Sequence, residues 1–337
     1  MAPLSQALNP QPAAASNQDN GGSYTYHGVL DPDWASASVP NGGYVLGLLV
    51  KASILCQRTT KHQDPVHVTG HFIRPSFASG YQIQVNVIRR GSRFTNIAAN
   101  FIQNEQTKVM AHMIFGTLPA LDAPPSSAKY EDIPPNHPLY HSIPMLSHPS
   151  ASKVHRFPSD LVKFEKHAQR GEDLAIIARN RSKFVDSQGG GLEAGIWVEL
   201  MGKEEELEFS MLPFFADMFE RTPTLLNHAQ AEEWAPKRFP TVLITLEFKR
   251  QLPRRGTPGI SHRTVGLYSR NTFLDHGRHD VHCEIWTAPD VIGEGGQPNP
   301  RDEGWKRDMR CIAVTTQFAL TVPLDLKSIA PQIGVKL

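Results

Sequence analysis

Two stretches of this chain occur twice in related form. "HFIRPSF", His71 to Phe77, resembles "EFKRQLP", Glu247 to Pro253, and "AHMIFGTLP", Ala111 to Pro119, resembles "TTQFALTVP", Thr315 to Pro323. An apolar segment precedes each pair: "VPNGGYVLGLLVKAS" from Val39, and "LPFFADMF" from Leu212. Repetition at this scale constrains the fold more than any single motif, because each copy must build the same local structure and pack against its twin.

The local pattern says what that structure is. Asn41 is placed as an N-cap, the helix it starts runs from Tyr44 to Gln57, and apolar residues surround that helix on every side, so it is expected to be buried. Lys51 interrupts the run well before the ~20 residues that a membrane span needs. From Asp64 to Leu118, β-branched and aromatic residues alternate between Pro-Ser, Ser-Gly, Arg-Gly-Ser and Asn-Glu turns, which predicts about four antiparallel strands. In the second half, "ELEFSMLPFFADMFE" reads as the matching apolar helix with Pro213 near its start. Strands are expected at "AGIWVELM", "TVLITLEFKRQLP", "RTVGLYSRNTFL", "DVHCEIWTA" and "RCIAVTTQFALTVP".

The expected fold is therefore α+β: a tandem double hotdog, in which each half is a curved antiparallel sheet wrapped around a buried helix. Two unrelated α+β domains are the alternative. Residues 1–22 read as a disordered tail, 23–120 as the first hotdog and 121–189 as a Pro-rich and charged connector with an edge strand at Ala175 to Arg179. Residues 190–327 read as the second hotdog, with a long polar loop from Pro289 to Asp308, and 328–337 as a tail.

Composition removes several function classes. Among 337 residues, 34 Lys and Arg balance 33 Asp and Glu, so no basic excess points to nucleic acid. Cys56, Cys283 and Cys311 form no C-x-x-C pair, which argues against a zinc site or a disulfide framework. No G-x-S-x-G elbow is present. "HVTGH" has strand spacing without a carboxylate, "HGRHD" reads as a polar turn, and "GGGLEAG" and "GEGGQ" lack the spacing of nucleotide-binding loops. No metal or cofactor is expected. The start of the chain lacks the basic and apolar regions of a secretory signal, and "GVKL" at its end is not S-K-L, so a cytoplasmic location is expected, a peroxisomal one being the alternative.

Taken together, "PNGGY", "HFIRP", "RRGSRFTNIAANFIQ", "MAHMIFG", "LPFFADMF", "LITLEFKRQLP" and "VTTQFAL" resemble the acyl-CoA thioesterase II family and its thioesterase-like relatives, over Gly28 to Leu118 and Gly195 to Pro323. The resemblance implies a double hotdog that hydrolyses fatty acyl-CoA to free acid and coenzyme A without a metal. It also implies an Asp, Thr and Gln catalytic set, which matches Asp217, Thr241 and Gln317 here. A homo-oligomer of double hotdogs is expected. A carrier-bound or CoA-bound polyketide or other specialised acyl substrate, and a non-catalytic acyl-binding protein, are the alternative readings.

Physical chemistry supports such a set. Thioester hydrolysis needs an activated water and donors aimed at the developing oxyanion. Asp217 sits among Phe214, Phe215, Met218 and Phe219, where desolvation raises a carboxyl pKa, while Thr241 and Gln317 offer a hydroxyl and an amide that orient water without changing charge. Aligning Phe72 with Phe248 and Pro119 with Pro323 sets Thr241 opposite Pro65 and Gln317 opposite Met113. One site per chain is therefore expected, on the second half. Gly42 and Gly43 are either donors to the thioester carbonyl at a helix N-terminus or simply small residues for tight packing. Lys249, Arg250, Arg254 and Arg255 are candidates for the coenzyme A phosphates, or a solvated strand end.

Overall fold

The computed structural model describes residues 2–13, 22–36, 39–123, 133–134, 137–152, 154–155, 162–186, 189–230, 237–293 and 304–323. The expected tail 328–337 and much of the Pro289 to Asp308 loop lie outside them. In the first half, strand β1 (Ser23–Val29) precedes helix α1 (Gly42–Gln57), which is followed by β2 (Asp64–Phe72), β3 (Gly80–Arg90), β4 (Thr95–Gln103) and β5 (Gln106–Gly116). After β6 (Ala168–Glu172) and α2 (Leu174–Val185), the second half comprises β7 (Leu192–Leu200), α3 (Leu212–Ala216), α4 (Thr222–Gln230), β8 (Thr241–Phe248), β9 (Thr264–Asn271), β10 (Arg278–Thr287) and β11 (Cys311–Leu320).

The long strands form one antiparallel sheet in the order β1-β3-β4-β5-β2-β8-β11-β10-β9-β7-β6. The two halves join edge to edge where β2 meets β8, and Thr69 opposite Thr245 is the centre of that pairing. Register confirms the repeat residue by residue. Val68 pairs with Met113 as Ile244 pairs with Gln317, and Pro65 pairs with Phe115 as Thr241 pairs with Ala319. Even the register shift recurs, between Pro65 and His67 in β2 and between Thr241 and Leu243 in β8.

Helix α1 forms as expected, with Asn41 Oδ1 accepting from the Tyr44 N–H, and Tyr44, Leu46, Leu48 and Leu49 fully buried. Its twin does not. The apolar run expected as one helix is a turn of 3-10 helix at Phe209–Met211 and then α3, which stops before Asp217. Asp217 closes the helix with bonds from its N–H to Pro213 O and Phe214 O, and the chain turns before α4 begins. The two helices touch backbone to backbone: a Cβ on Gly43 would fall 2.0 Å from Pro213 O, and one on Gly47 2.4 Å from Ser210 O.

Two further expectations are corrected. Residues 2–13 are not a disordered tail. Leu4 and Leu8 are fully buried, Leu8 lies against Gly47, the Trp34 indole donates to Ala2 O and the Tyr44 hydroxyl donates to Ala7 O; residues 14–21 lie outside the described set. Ala175 to Arg179 is not an edge strand but part of α2, because the Asp173 carboxylate caps the N–H groups of Ala175 and Ile176; the strand lies just before, in β6. This connector covers the outer face of the second half, where Ile143, Met145, Ile176, Trp197, Trp286 and Trp305 form a separate apolar cluster. None of the described helices is long and apolar enough to cross a membrane.

Candidate active site

The junction of the halves gathers four donors and acceptors from four elements. Asp217, at the end of α3, is 5 % exposed, and each of its carboxylate oxygens has a bonding partner. Gln317 Nε2, from β11, donates to Asp217 Oδ1 at 2.7 Å and to Thr241 Oγ1 at 2.9 Å. The Thr241 hydroxyl, at the start of β8, donates to the same carboxylate oxygen at 3.3 Å. From the other half, the Gly43 N–H at the N-terminus of α1 donates to Asp217 Oδ2 at 3.1 Å.

Burial pushes the Asp217 carboxyl above the ordinary Asp range; Arg221, the Gly43 N–H, Gln317 and Thr241 oppose that shift without cancelling it. The result is a buried base with donors that stabilise its charged form. Gln317 Oε1 is buried and has no hydrogen-bond partner within the protein, which leaves an acceptor beside the carboxylate. Such an arrangement can hold a water between an amide oxygen, a hydroxyl and a carboxylate and take its proton.

The structure thus brings Asp217, Thr241 and Gln317 together as the sequence suggested, with the candidate Gly43 beside them. The role expected for Gly43 is corrected: its N–H meets the Asp217 carboxylate instead of a substrate carbonyl, and its missing side chain is a requirement of the α1–α3 contact. A Cβ on Gly42 would lie 3.2 Å from Asp217 Oδ2 and 3.1 Å from Phe72 Cε1, so the first residue of α1 faces the site. The basic run is not at the site. It follows the far end of β8, roughly 25 Å along the strand from Thr241 at ~3.3 Å per residue. Lys249 pairs with Glu247 at 2.5 Å and Arg255 with Glu204 at 3.2 Å, while Arg250 donates to Ala120 O. The Arg254 backbone N–H bonds to Thr257. Arg221 is a cation near Asp217 that sequence reasoning missed; its position four residues beyond the carboxylate was the available signal. Its guanidinium lies 5.3 Å from the Phe239 ring centre.

One antiparallel sheet built from two repeated halves, each with its own helix and with one polar site at their seam, defines a double hotdog protein. Residues 30–116 match the family described as the acyl-CoA thioesterase N-terminal domain. Among solved structures, a hot dog fold protein from Alicyclobacillus acidocaldarius superposes with a TM-score of 0.64 at 15 % identity, covering 95 % of this chain and 97 % of that one. An acyl-CoA thioesterase II from Mycobacterium marinum gives 0.56 at 14 % identity, covering 96 % and 98 %. Among curated proteins, the ustilagic acid biosynthesis cluster protein orf2 of Mycosarcoma maydis is 26 % identical over 164 residues, 45 % of this chain; the match spans 42 % of that protein's length. The family match is confined to residues 30–116, and the solved structures show that the hot dog fold extends over nearly the whole chain.

Proposed function

We propose that the protein is an acyl-CoA thioesterase-like hydrolase that cleaves an acyl thioester to free acid and thiol with water activated by Asp217. The observation that carries this reading is the buried Asp217 carboxylate held by Gln317, Thr241 and the Gly43 N–H. Asp217 takes a proton from the water, whose oxygen adds to the thioester carbonyl. The Gly42 N–H, the first donor of α1 and one without an intrahelical partner, receives the developing oxyanion with the help of the helix dipole. Collapse of the adduct breaks the C–S bond, and the leaving sulfur regains the proton. Gln317 and Thr241 orient the water and the carboxylate; neither changes charge.

A specific observation favours a specialised acyl substrate over bulk fatty acyl-CoA: the curated relative in Mycosarcoma maydis is described as a biosynthesis cluster protein. The hydrolytic chemistry is the same in both readings. Assembly into a homo-oligomer is also proposed, supported by Met110 and Phe318, which are exposed on the outer face of β5 and β11 beside the seam.

Thiol release from a panel of acyl-CoA and acyl-pantetheine substrates tests the hydrolytic reading. Asp217→Asn is expected to lower the rate roughly a thousandfold and Gln317→Ala roughly a hundredfold with the fold unchanged. Equal rates in all three proteins would sink it, and tight acyl-CoA binding without turnover in the wild type would leave a binding protein instead.

A further inference from the structure

The inner face of the second sheet is polar where the matching face of the first is apolar. Strand pairing sets the correspondence: Val85 pairs with Ala99 as Ser269 pairs with Cys283, Thr95 with Phe115 as His279 with Ala319, and Ile97 with Met113 as Val281 with Gln317. Ser269, Asn271 and Thr315 therefore stand where the first half has Val85, Val87 and Ala111. His279 stands where the first half has Thr95, whose hydroxyl is bonded to His62 Nδ1 at 3.0 Å.

These second-half groups are not satisfied by one another. Ser269, Asn271 and His279 are 1 % exposed and Thr315 is 2 % exposed. Ser269 Oγ, Asn271 Nδ2, His279 Nε2 and Thr315 Oγ1 have no hydrogen-bond partner within the protein. Each such buried atom is destabilising unless something bonds to it, so four on one face, beside a candidate catalytic amide, call for a ligand. Their placement is held from behind. Thr222 donates to Asn271 Oδ1 at 3.1 Å, which turns the Asn271 amide N–H groups away from α4, and the Thr321 hydroxyl meets His279 Nδ1 at 3.3 Å. A surface cavity of about 300 Å³, lined by Pro223 and Thr321 among others, lies next to these two supports.

We infer that this face is the acyl subsite and that it selects an acyl group carrying hydroxyl or oxo oxygens along its chain over a plain alkyl chain of the same length. This rests on the thioesterase reading for the position of the carbonyl. With strands ~4.8 Å apart and ~3.3 Å per residue, Asn271, His279 and Thr315 fall within about 10 Å of Gln317 and Ser269 about 12 Å from it, in reach of an acyl chain whose carbonyl lies at Asp217. The set offers neutral donors and acceptors. Burial and the neighbouring Arg221 push the His279 imidazole down to about 4, so it is uncharged at neutral pH, and Arg221 lies against the Phe239 ring. A neutral oxygenated chain matches that set.

The test pairs acyl-CoA substrates of equal length, unsubstituted against hydroxylated at C3 or further along the chain. Thiol release should show a kcat/KM ratio of at least about tenfold in favour of a hydroxylated member, since a site built to bond a substrate hydroxyl discriminates against its absence. Asn271→Leu and the double variant Ser269→Ala, Thr315→Val should bring the ratio to one or below. Calorimetric titration with the free hydroxylated and plain acids reads the same preference without turnover. Turnover of plain chains as fast as hydroxylated ones, or a ratio unchanged in the variants, overturns the inference while hydrolysis stands, and ordered water is then what satisfies these groups. Tighter binding of the hydroxylated acid with no thiol release overturns the hydrolytic reading and leaves the subsite; no release and no binding preference overturns both.

Discussion

The two hotdogs share one strand order and one register, but they differ in their central helices and in what those helices cover. Helix α1 runs 16 residues, while α3 runs five and ends at Asp217. Above α1 the sheet presents Val68, Val85, Ala99, Phe101 and Met113, all fully buried and apolar. The second-half face presents Ser269, Asn271, Thr315 and Gln317, buried and polar. A duplicated fold can thus divide its work: the first half supplies an apolar wall and one helix N-terminus, which lets the second carry a shortened helix and groups that are costly to bury.

The largest effect expected from breaking this arrangement is at the contact between the helices. Gly43→Ala puts a Cβ against Pro213 O at 2.0 Å, where only backbone movement makes room. Destabilisation of about 3 kcal/mol or more is expected in chemical denaturation, together with loss of the Gly43–Asp217 bond. Next is the N-terminal arm: Leu8→Ala removes a fully buried side chain packed on Gly47 and should destabilise by roughly 2–3 kcal/mol.

A smaller, signed effect comes from Asp217. Its folded carboxyl pKa lies above its unfolded value, so the native state holds the proton more tightly; stability should fall as pH rises from the unfolded Asp range through the folded pKa, and level off above it. Hydrolysis needs the carboxylate and should rise across the same window. Denaturation midpoints and rates measured over that range are expected to move in opposite directions, and Asp217→Asn should flatten the stability change. The smallest effect is at His279, where the sign is reversed. With its imidazole pushed down to about 4, stability should be complete above pH ~6.5 and decline as pH falls toward 4, a slope that His279→Gln removes.

Much of this was legible in the sequence because hydrophobic period and repeat register are local. Phe72 against Phe248 already placed Thr241 opposite Pro65, Pro119 against Pro323 placed Gln317 opposite Met113, and strand pairing reproduces both. Asp217, Thr241 and Gln317 are picked out by their match to the Asp, Thr and Gln set that the thioesterase II resemblance implies. What escaped depends on distant partners. "LPFFADMF" is apolar enough for a long helix, yet it stops where Asp217 meets Gln317, Thr241 and Gly43. Leu4 and Leu8 look like isolated apolar residues in a polar tail until Trp34 and Tyr44 hold the backbone beside them. The basic run from Lys249 looked like a phosphate site because charge is visible in sequence, whereas its pairing with Glu247 and Glu204 and its distance from Thr241 are not. Ser269, Asn271 and Thr315 gave no signal, since single polar residues on a strand read as solvent-facing until both faces of the sheet prove covered.

The side chains proposed to activate and orient the water all lie in the second half, the first lending only backbone donors, and matched substitutions at the equivalent positions Gln317 and Met113 test this directly. Thiol release from acyl-CoA should fall roughly a hundredfold in Gln317→Met, which installs the first-half residue in the second, and stay within about twofold of wild type in the volume-conserving Met113→Leu. Equal losses in the two variants, or full activity in Gln317→Met, would contradict the account.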